Sequence, residues 1–321
     1  MNAVLEQIQK IGIVPVIKID NPDNAVPLAK ALAEGGLPLA EITFRTAEGV
    51  ESIRRISKEL PDILVGAGTV LTTEQVDNAI AAGAKFIVSP GFNPKVVAHC
   101  NEKNIPITPG CSGPSDMEQA LAMGIEVVKF FPAEQSGGLD YIKAVSAPYT
   151  TLKFIPTGGI NAQNLTTYLS FDRIIACGGS WMVKADLINS GKFDEITKLA
   201  REAVNSMLGF RLAHIGINNE NEDEARKAAK AFEALFGFAV KEGNSSIFAG
   251  DGIECNKTMY LGKHGHIAIG TLSLKRAIAY LERNGFEFNQ DSVKKNPKGE
   301  MVAIYLKDEI AGFAIHLVQS K

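Results

Sequence analysis

Eight short apolar runs alternate with helical segments between residues 12 and 205, and past Leu208 the rhythm changes to alternating strands grouped around two further helices. These two observations predict an α/β fold, a (β/α)8 TIM barrel over residues 1–207, followed by a smaller α+β domain of paired βαβββ modules over 208–321. A third observation, that no GxGxxG follows the first strand, sets aside the doubly wound open sheet, which shares the alternation.

The strands are read in order as IVPVIKI, LAEITFRT, ILVGAGTV, KFIVSPG, IPITPG, EVVKFFPA, KFIPTGG and RIIACGGS. Between them lie segments of helical composition, the clearest being DNAVPLAKALAEGG, AEGVESIRRISKEL, TTEQVDNAIAAGA and PSDMEQALAMG, and FDEITKLAREAVNSM follows the last strand. Strands separated by helices pair in parallel through right-handed crossovers, and eight such units in about 200 residues is the number that closes a barrel.

In the second half, LAHIGIN, a helix (EDEARKAAKAFEALFGF) and strands ending in GIECNK are echoed by GHIAIGT, a helix (LKRAIAYLERNGF) and strands ending in AIHLVQ. The echo sets His214 against His266, the FGF at 236–238 against the NGF at 284–286, and Glu254 against His316. A βαβββ unit used twice resembles the vicinal-oxygen-chelate (glyoxalase-like) fold. That resemblance implies that His214, Glu254, His266 and His316 stand where such domains hold a divalent metal, with a donor set that suits Zn, Ni, Fe or Co. The alternative is that these are strand residues near a closed cleft without metal. His264 is read as part of a solvated turn.

Composition narrows the function classes. Apolar residues make up 45% and charged residues 21%, with a net charge of −3, which suits a soluble globular protein and gives no basic footprint for nucleic acid. No run approaches the ~18 apolar residues of a membrane-spanning helix, and charges and a proline interrupt the first twenty residues where a signal peptide needs an apolar core. Cys100, Cys111, Cys177 and Cys255 are scattered without CxxC spacing, so neither a disulfide framework nor a zinc knuckle is expected, and a cytoplasmic location is.

Chemistry in such a barrel belongs at the C-terminal strand ends. The turns after strands seven and eight, Thr157-Gly158-Gly159 and Gly178-Gly179-Ser180, leave backbone N–H groups facing outward, and two glycine turns at these two strands predict a phosphate site to which Ser180 adds a hydroxyl. In EVVKFF the strand period of two puts Val127, Lys129 and Phe131 on one face and Val128 and Phe130 on the other, so Lys129 is enclosed whichever face is interior. Enclosure disfavours an ammonium and leaves an amine that can attack carbonyl carbon. Glu41, at the end of strand two, is the candidate carboxylate beside it, either as an ion-pair partner or as a proton shuttle. Lys85 and Lys153 lie at strand starts, and Lys18 sits in polar surroundings, so these rivals are set aside. Arg45 offers a planar fork for a substrate carboxylate, with Thr69 as a hydroxyl donor. An amine, a base, a carboxylate clamp and a phosphate nest together suit a class I retro-aldol cleavage of a 2-oxo acid without metal.

The motifs EITFRT, VGAGTV, SPGF, PGCSGPSD, KFFPAE, PTGGI and GGSW, in this order and spacing, closely resemble 2-keto-3-deoxy-6-phosphogluconate aldolases, a family that often also cleaves 4-hydroxy-2-oxoglutarate. The resemblance implies that Lys129 forms an imine with the pyruvyl carbon and that Glu41 shuttles protons. Arg45 and Thr69 then hold the carboxylate, Pro90, Phe131 and Thr157 shape the pocket, and Gly158, Gly159 and Ser180 bind phosphate. It also implies a homotrimer. Two other functions compete with this one. A phosphate-binding barrel decarboxylase or isomerase would share the turns but wants an Asp-x-Lys strand end, which EVVKF lacks. A ligand sensor acting through the C-terminal domain would leave the barrel no need of a buried amine.

Overall fold

The computed structural model describes residues 1–320. The chain divides into two compact units, Met1–Met207 and the remainder from Leu208.

The first unit carries eight strands: β1 (Ile13–Ile17), β2 (Leu39–Thr43), β3 (Leu64–Gly68), β4 (Ile87–Val88), β5 (Ile107–Thr108), β6 (Val127–Phe130), β7 (Lys153–Pro156) and β8 (Cys177–Gly179). Six of them form one parallel ladder in the order β5-β4-β3-β2-β1-β8, and β6 pairs with β7. Single parallel bridges, Gly110 to Lys129, Phe154 to Ile174 and Thr157 to Gly178, join these two groups and close the ring. This is the (β/α)8 barrel. Every residue of β2, β3 and β6 is buried, as expected where one face meets the barrel interior and the other meets helices.

The strands are shorter than the apolar runs suggest, β4 and β5 having only two residues each. Prolines and glycines at the run ends (SPG, TPG, TGG) remove ladder donors or bend the chain, so these residues leave the sheet and become the loops at its C-terminal end. The helix Phe193–Leu208 closes the outer ring, with Thr197 Oγ1 donating to the Ala31 carbonyl of the helix Ala25–Glu34.

The second unit holds β9 (Arg211–Asn218), β10 (Val240–Glu242), β11 (Ser246–Ala249), β12 (Ile253–Asn256), β13 (Gly265–Thr271), β14 (Phe288–Lys295), β15 (Met301–Ile310) and β16 (Phe313–Gln319). Its helices, Glu222–Phe236 and Leu274–Arg283, are capped by the side chains of Asn221 and Ser273. The eight strands make one sheet in the order β10-β11-β12-β9-β13-β16-β15-β14. Each half is a βαβββ module whose first and last strands run parallel, and the two modules meet where β9 and β13 pair antiparallel. Ala225 and Ala229 of the first helix pack on Ile247, Ala249 and Cys255 on one face of the sheet. The alternate residues of the same strands therefore face the other way.

Candidate active site

Lys129 stands on β6 with its side chain 8% exposed, and Glu41 stands on β2 with its side chain 3% exposed. Lys129 Nζ lies 3.4 Å from Glu41 Oε1. That is long for a charge-assisted hydrogen bond, so the pair is within reach without being locked together. The ring of Phe131 lies 5.4 Å from Nζ, and the peptide between Phe131 and Pro132 is cis. Gly68 on β3 makes the arrangement possible, since a Cβ there would come within 2.3 Å of Glu41 Oε1. Glu41 thus lies across a strand position that has no side chain.

Arg45 follows β2 and is exposed, with its Nε donating to Thr43 Oγ1 at 3.1 Å. Thr43 in turn donates to the Ile17 carbonyl at 2.7 Å, anchoring the pair to β1. Among the described residues no carboxylate lies within salt-bridge distance of Arg45, so its outer nitrogens are open to a ligand. Thr69 has φ of 58°, in the left-handed region. A β-branched residue is strained there by about 1–3 kcal/mol, and strain of that kind clusters at ligand sites. Pro90 is half-buried and Phe131 is exposed at the strand ends.

Thr157 is buried at the end of β7, its N–H donating to the Phe130 carbonyl. Gly158 and Gly159 have φ of 97° and 81°, a path that side-chain-bearing residues adopt only with strain. Among the described residues neither of their N–H groups has a protein acceptor, whereas their carbonyls are taken, Gly158 by the Glu134 N–H and Gly159 by the amides of Asn161 and Asn164. Carbonyls turned away with N–H groups left free is the condition for holding an anion. Ser180 is exposed just past β8. Behind the turn, Tyr168 donates to Glu134, and burial together with this carboxylate raises the phenol's pKa.

The rival lysines lie elsewhere. Lys18 is exposed and paired with Asp20 at 2.7 Å, and Lys85 and Lys153 are at or before the starts of β4 and β7. All four cysteines are buried, and none is in a disulfide. Burial and the charge of Asp116 push the Cys111 thiol up to about 12, which leaves it a poor nucleophile.

The second unit gathers its own cluster. His214 is level with Ala268 and His316 across the sheet, and Glu254 is level with Gly216 and His266 one row on. Small residues alternate with large ones, and the gap at Gly216 is occupied by the His266 ring, whose Cε1 would lie 2.1 Å from a Cβ there. The three imidazoles each offer a nitrogen, all within 4.8 Å of one another. Glu254 Oε2 is 3.1 Å from Nε2 of both His214 and His266. Burial works to raise the Glu254 pKa, but hydrogen bonds from His214, His266 and Ser246 outweigh it and hold the carboxyl well below the usual range. Burial and the neighbouring imidazoles bring His316 down to about 3. Tyr305 stacks on His316 with ring centroids 4.5 Å apart.

The pattern of the KDPG and KHG aldolase family matches residues 4–199. The 2-dehydro-3-deoxy-phosphogluconate aldolase of Treponema pallidum is 48% identical over 204 residues, covering 64% of this chain and 97% of that protein. The KHG/KDPG aldolase of Escherichia coli K12 is 44% identical over 192 residues, covering 60% and 90%. Among solved structures, a Legionella pneumophila KDPG aldolase with pyruvate captured as a covalent carbinolamine superposes with a TM-score of 0.61 at 36% identity, covering 62% of this chain and 97% of that one. With its barrel matched over nearly the whole length of these relatives, the chain belongs to the KDPG and KHG aldolase family.

Proposed function

We propose that the barrel is a class I aldolase that reversibly cleaves 2-keto-3-deoxy-6-phosphogluconate to pyruvate and glyceraldehyde 3-phosphate, and 4-hydroxy-2-oxoglutarate to pyruvate and glyoxylate. The observation that carries this reading is the enclosed Lys129–Glu41 pair at the C-terminal end of the strands. The amine of Lys129 adds to the C2 carbonyl, and loss of water from the carbinolamine leaves an iminium. Glu41 takes the proton of the C4 hydroxyl as the C3–C4 bond breaks. The bonding electrons move into the iminium, giving an enamine, while C4 departs as an aldehyde. Glu41 returns a proton to C3, and water releases pyruvate and the free amine. Arg45 and Thr69 hold the substrate carboxylate, and Gly158, Gly159 and Ser180 take the phosphate. Pro90, Phe131 and Thr157 bound the pocket. The iminium is the electron sink, so this chemistry needs no Lewis acid. The family resemblance implies a homotrimer, and the scattered cysteines suit the cytoplasm; among the described residues no helix is long and apolar enough to cross a membrane.

Incubation of the purified chain with either 2-oxo acid should release one pyruvate per substrate consumed, read by coupled reduction of pyruvate. The ratio of the two kcat/KM values gives the preference, and no pyruvate from either would end this reading.

For the second unit we infer a glyoxalase-like domain that holds a divalent metal on His214, Glu254, His266 and His316. The donors fit a first-row ion, being three neutral-capable imidazoles and one carboxylate held ionised. His316 is buried with neither ring nitrogen hydrogen-bonded, an expense that a metal at one nitrogen relieves. A bound ion would supply Lewis acidity on the face of the sheet that carries the imidazoles. Elemental analysis of the chain purified without chelator should find about one metal per chain, falling to background in His266→Ala. EDTA should remove it without reducing pyruvate release by the barrel. A metal-free chain that also takes up none on dialysis against Zn(II), Ni(II) or Co(II) would refute the site.

A further inference from the structure

The glycine turn after β7 is clamped by residues that no step of the aldol chemistry uses. Asn161 and Asn164 both donate their side-chain amides to the Gly159 carbonyl at 3.1 Å. The segment that leaves β6 supplies the rest of the clamp. The N–H groups of Ala133 and Glu134 donate to the carbonyls of Thr157 and Gly158, at 2.8 and 3.1 Å. The Glu134 side chain then runs across Gly159, where an added Cβ would come within 2.3 Å of Glu134 Cγ. Gly159 therefore makes room for this side chain as well as supplying a left-handed backbone. Tyr168, buried on the helix Leu165–Leu169, donates its hydroxyl to Glu134 Oε1. Burial and this carboxylate keep the phenol protonated. Among the described residues no basic side chain lies within salt-bridge distance of Glu134, so the Tyr168 hydroxyl is what fixes its place. A negative charge beside an anion site opposes binding, so the pair needs another use. That use is geometric, because a nest holds an anion only while its carbonyls stay turned away and its N–H groups stay aimed at the ligand.

We propose that Glu134 and Tyr168 act together as positioning residues for the phosphate turn, and so set the preference for the phosphorylated six-carbon acid over the five-carbon dicarboxylate. The inference rests on the phosphate reading of Gly158, Gly159 and Ser180 above. The two substrates carry the same groups from C1 to C4 and differ only beyond. In the dicarboxylate the second anion is at C5 itself, whereas the phosphorus lies three bonds past C5. A displaced turn is therefore felt by the longer acid and not by the shorter one. Among the described residues neither Glu134 nor Tyr168 has a hydrogen bond or ion pair to Lys129, Glu41 or Arg45, which act on the shared part.

The test is steady-state cleavage of both acids by the full chain. Tyr168→Phe keeps the ring and loses the hydroxyl. It should raise KM for 2-keto-3-deoxy-6-phosphogluconate about three- to tenfold. Its kcat, and both parameters for 4-hydroxy-2-oxoglutarate, should stay within about twofold of the parent. Glu134→Ala should match it, and combining the two should be no worse than either alone, since they remove one interaction. Glu134→Gln still offers an oxygen to Tyr168 and drops the opposing charge, so it should bind the phosphorylated acid at least as well as the parent. Ser180→Ala, which removes a donor to the phosphate itself, tells the failures apart. If Ser180→Ala raises this KM and Tyr168→Phe does not, or if Tyr168→Phe slows both substrates alike, the positioning inference fails and the phosphate turn stands. A rise in Glu134→Gln as large as in Glu134→Ala would equally overturn it. If Ser180→Ala and Tyr168→Phe both leave this KM unchanged, the phosphate reading itself fails.

Discussion

Replacing Lys129 with alanine is expected to lower kcat/KM for cleavage by at least about 10⁴-fold, since it removes the covalent route and not merely a contact. The matching positive result is borohydride trapping. With pyruvate present, reduction should leave one reduced pyruvyl group per chain on the peptide containing Lys129, and none in Lys129→Ala. None of the three rival lysines can take over. Lys18 is exposed and held by Asp20 at 2.7 Å, and Lys85 and Lys153 lie toward the opposite end of the barrel. The alanine variant also strands Glu41 in a buried position without its partner, which can cost stability. Lys129→Met, which keeps most of the stem and loses the amine, separates the two effects: it should melt close to the parent and be equally inactive. A label found on another residue, or cleavage by Lys129→Met within tenfold of the parent, would overturn the imine assignment.

Much of this site could be read from side-chain period alone. Lys129 is enclosed because both faces of EVVKFF are apolar, and a strand in a closed parallel barrel has no wet face to offer a lysine. The same period of two places Glu41, Thr43 and Arg45 on one parity of EITFRT, so Thr43, which fastens the Arg45 guanidinium, was legible there and was missed. Gly68 was not legible. Its contribution is a missing Cβ opposite a carboxylate, and a sequence does not say which residue faces which until strand register is fixed. Thr69 is a similar case, since its β-branch argues against the left-handed backbone that the loop imposes on it. Strand lengths were overestimated for a related reason, because hydrophobicity continues into residues whose backbone has already turned toward the site. In the second unit the echo of two modules placed four metal-type donors. The alternation of Gly216, Ala268 and Ala314 with the imidazoles, which lets the rings share one face, needed the register to emerge. Lys294 and Tyr305 come from β14 and β15, far from any of the motifs, and only the folded sheet brings them to the cleft that the imidazoles line.

Replacing Glu41 with glutamine should produce a different failure. Gln preserves the shape that fits over Gly68 but cannot carry a proton away from the C4 hydroxyl or deliver one to C3. Cleavage should fall by about 10²–10⁴-fold, the usual contribution of a positioned acid–base group. Exchange of the pyruvate methyl protons with deuterated solvent, followed by NMR, should fall by a similar factor, because it reads the C3 proton transfer without any bond cleavage. Borohydride should still label Lys129, since an amine needs no carboxylate to add to a ketone, although more slowly if Glu41 also assists the loss of water. The comparison of exchange with trapping is what identifies the role. If Glu41→Gln blocked trapping as fully as it blocked exchange, the carboxylate would be needed to make the imine. If both rates stayed within about threefold of the parent, the proton would have to travel by another group, and the 3.4 Å approach of Glu41 to Lys129 would be an ion pair that merely keeps two buried charges satisfied. A shuttle is expected instead because Glu41 Oε1 lies 3.4 Å from the nitrogen that would carry the substrate, close enough to exchange protons with atoms a few bonds beyond it.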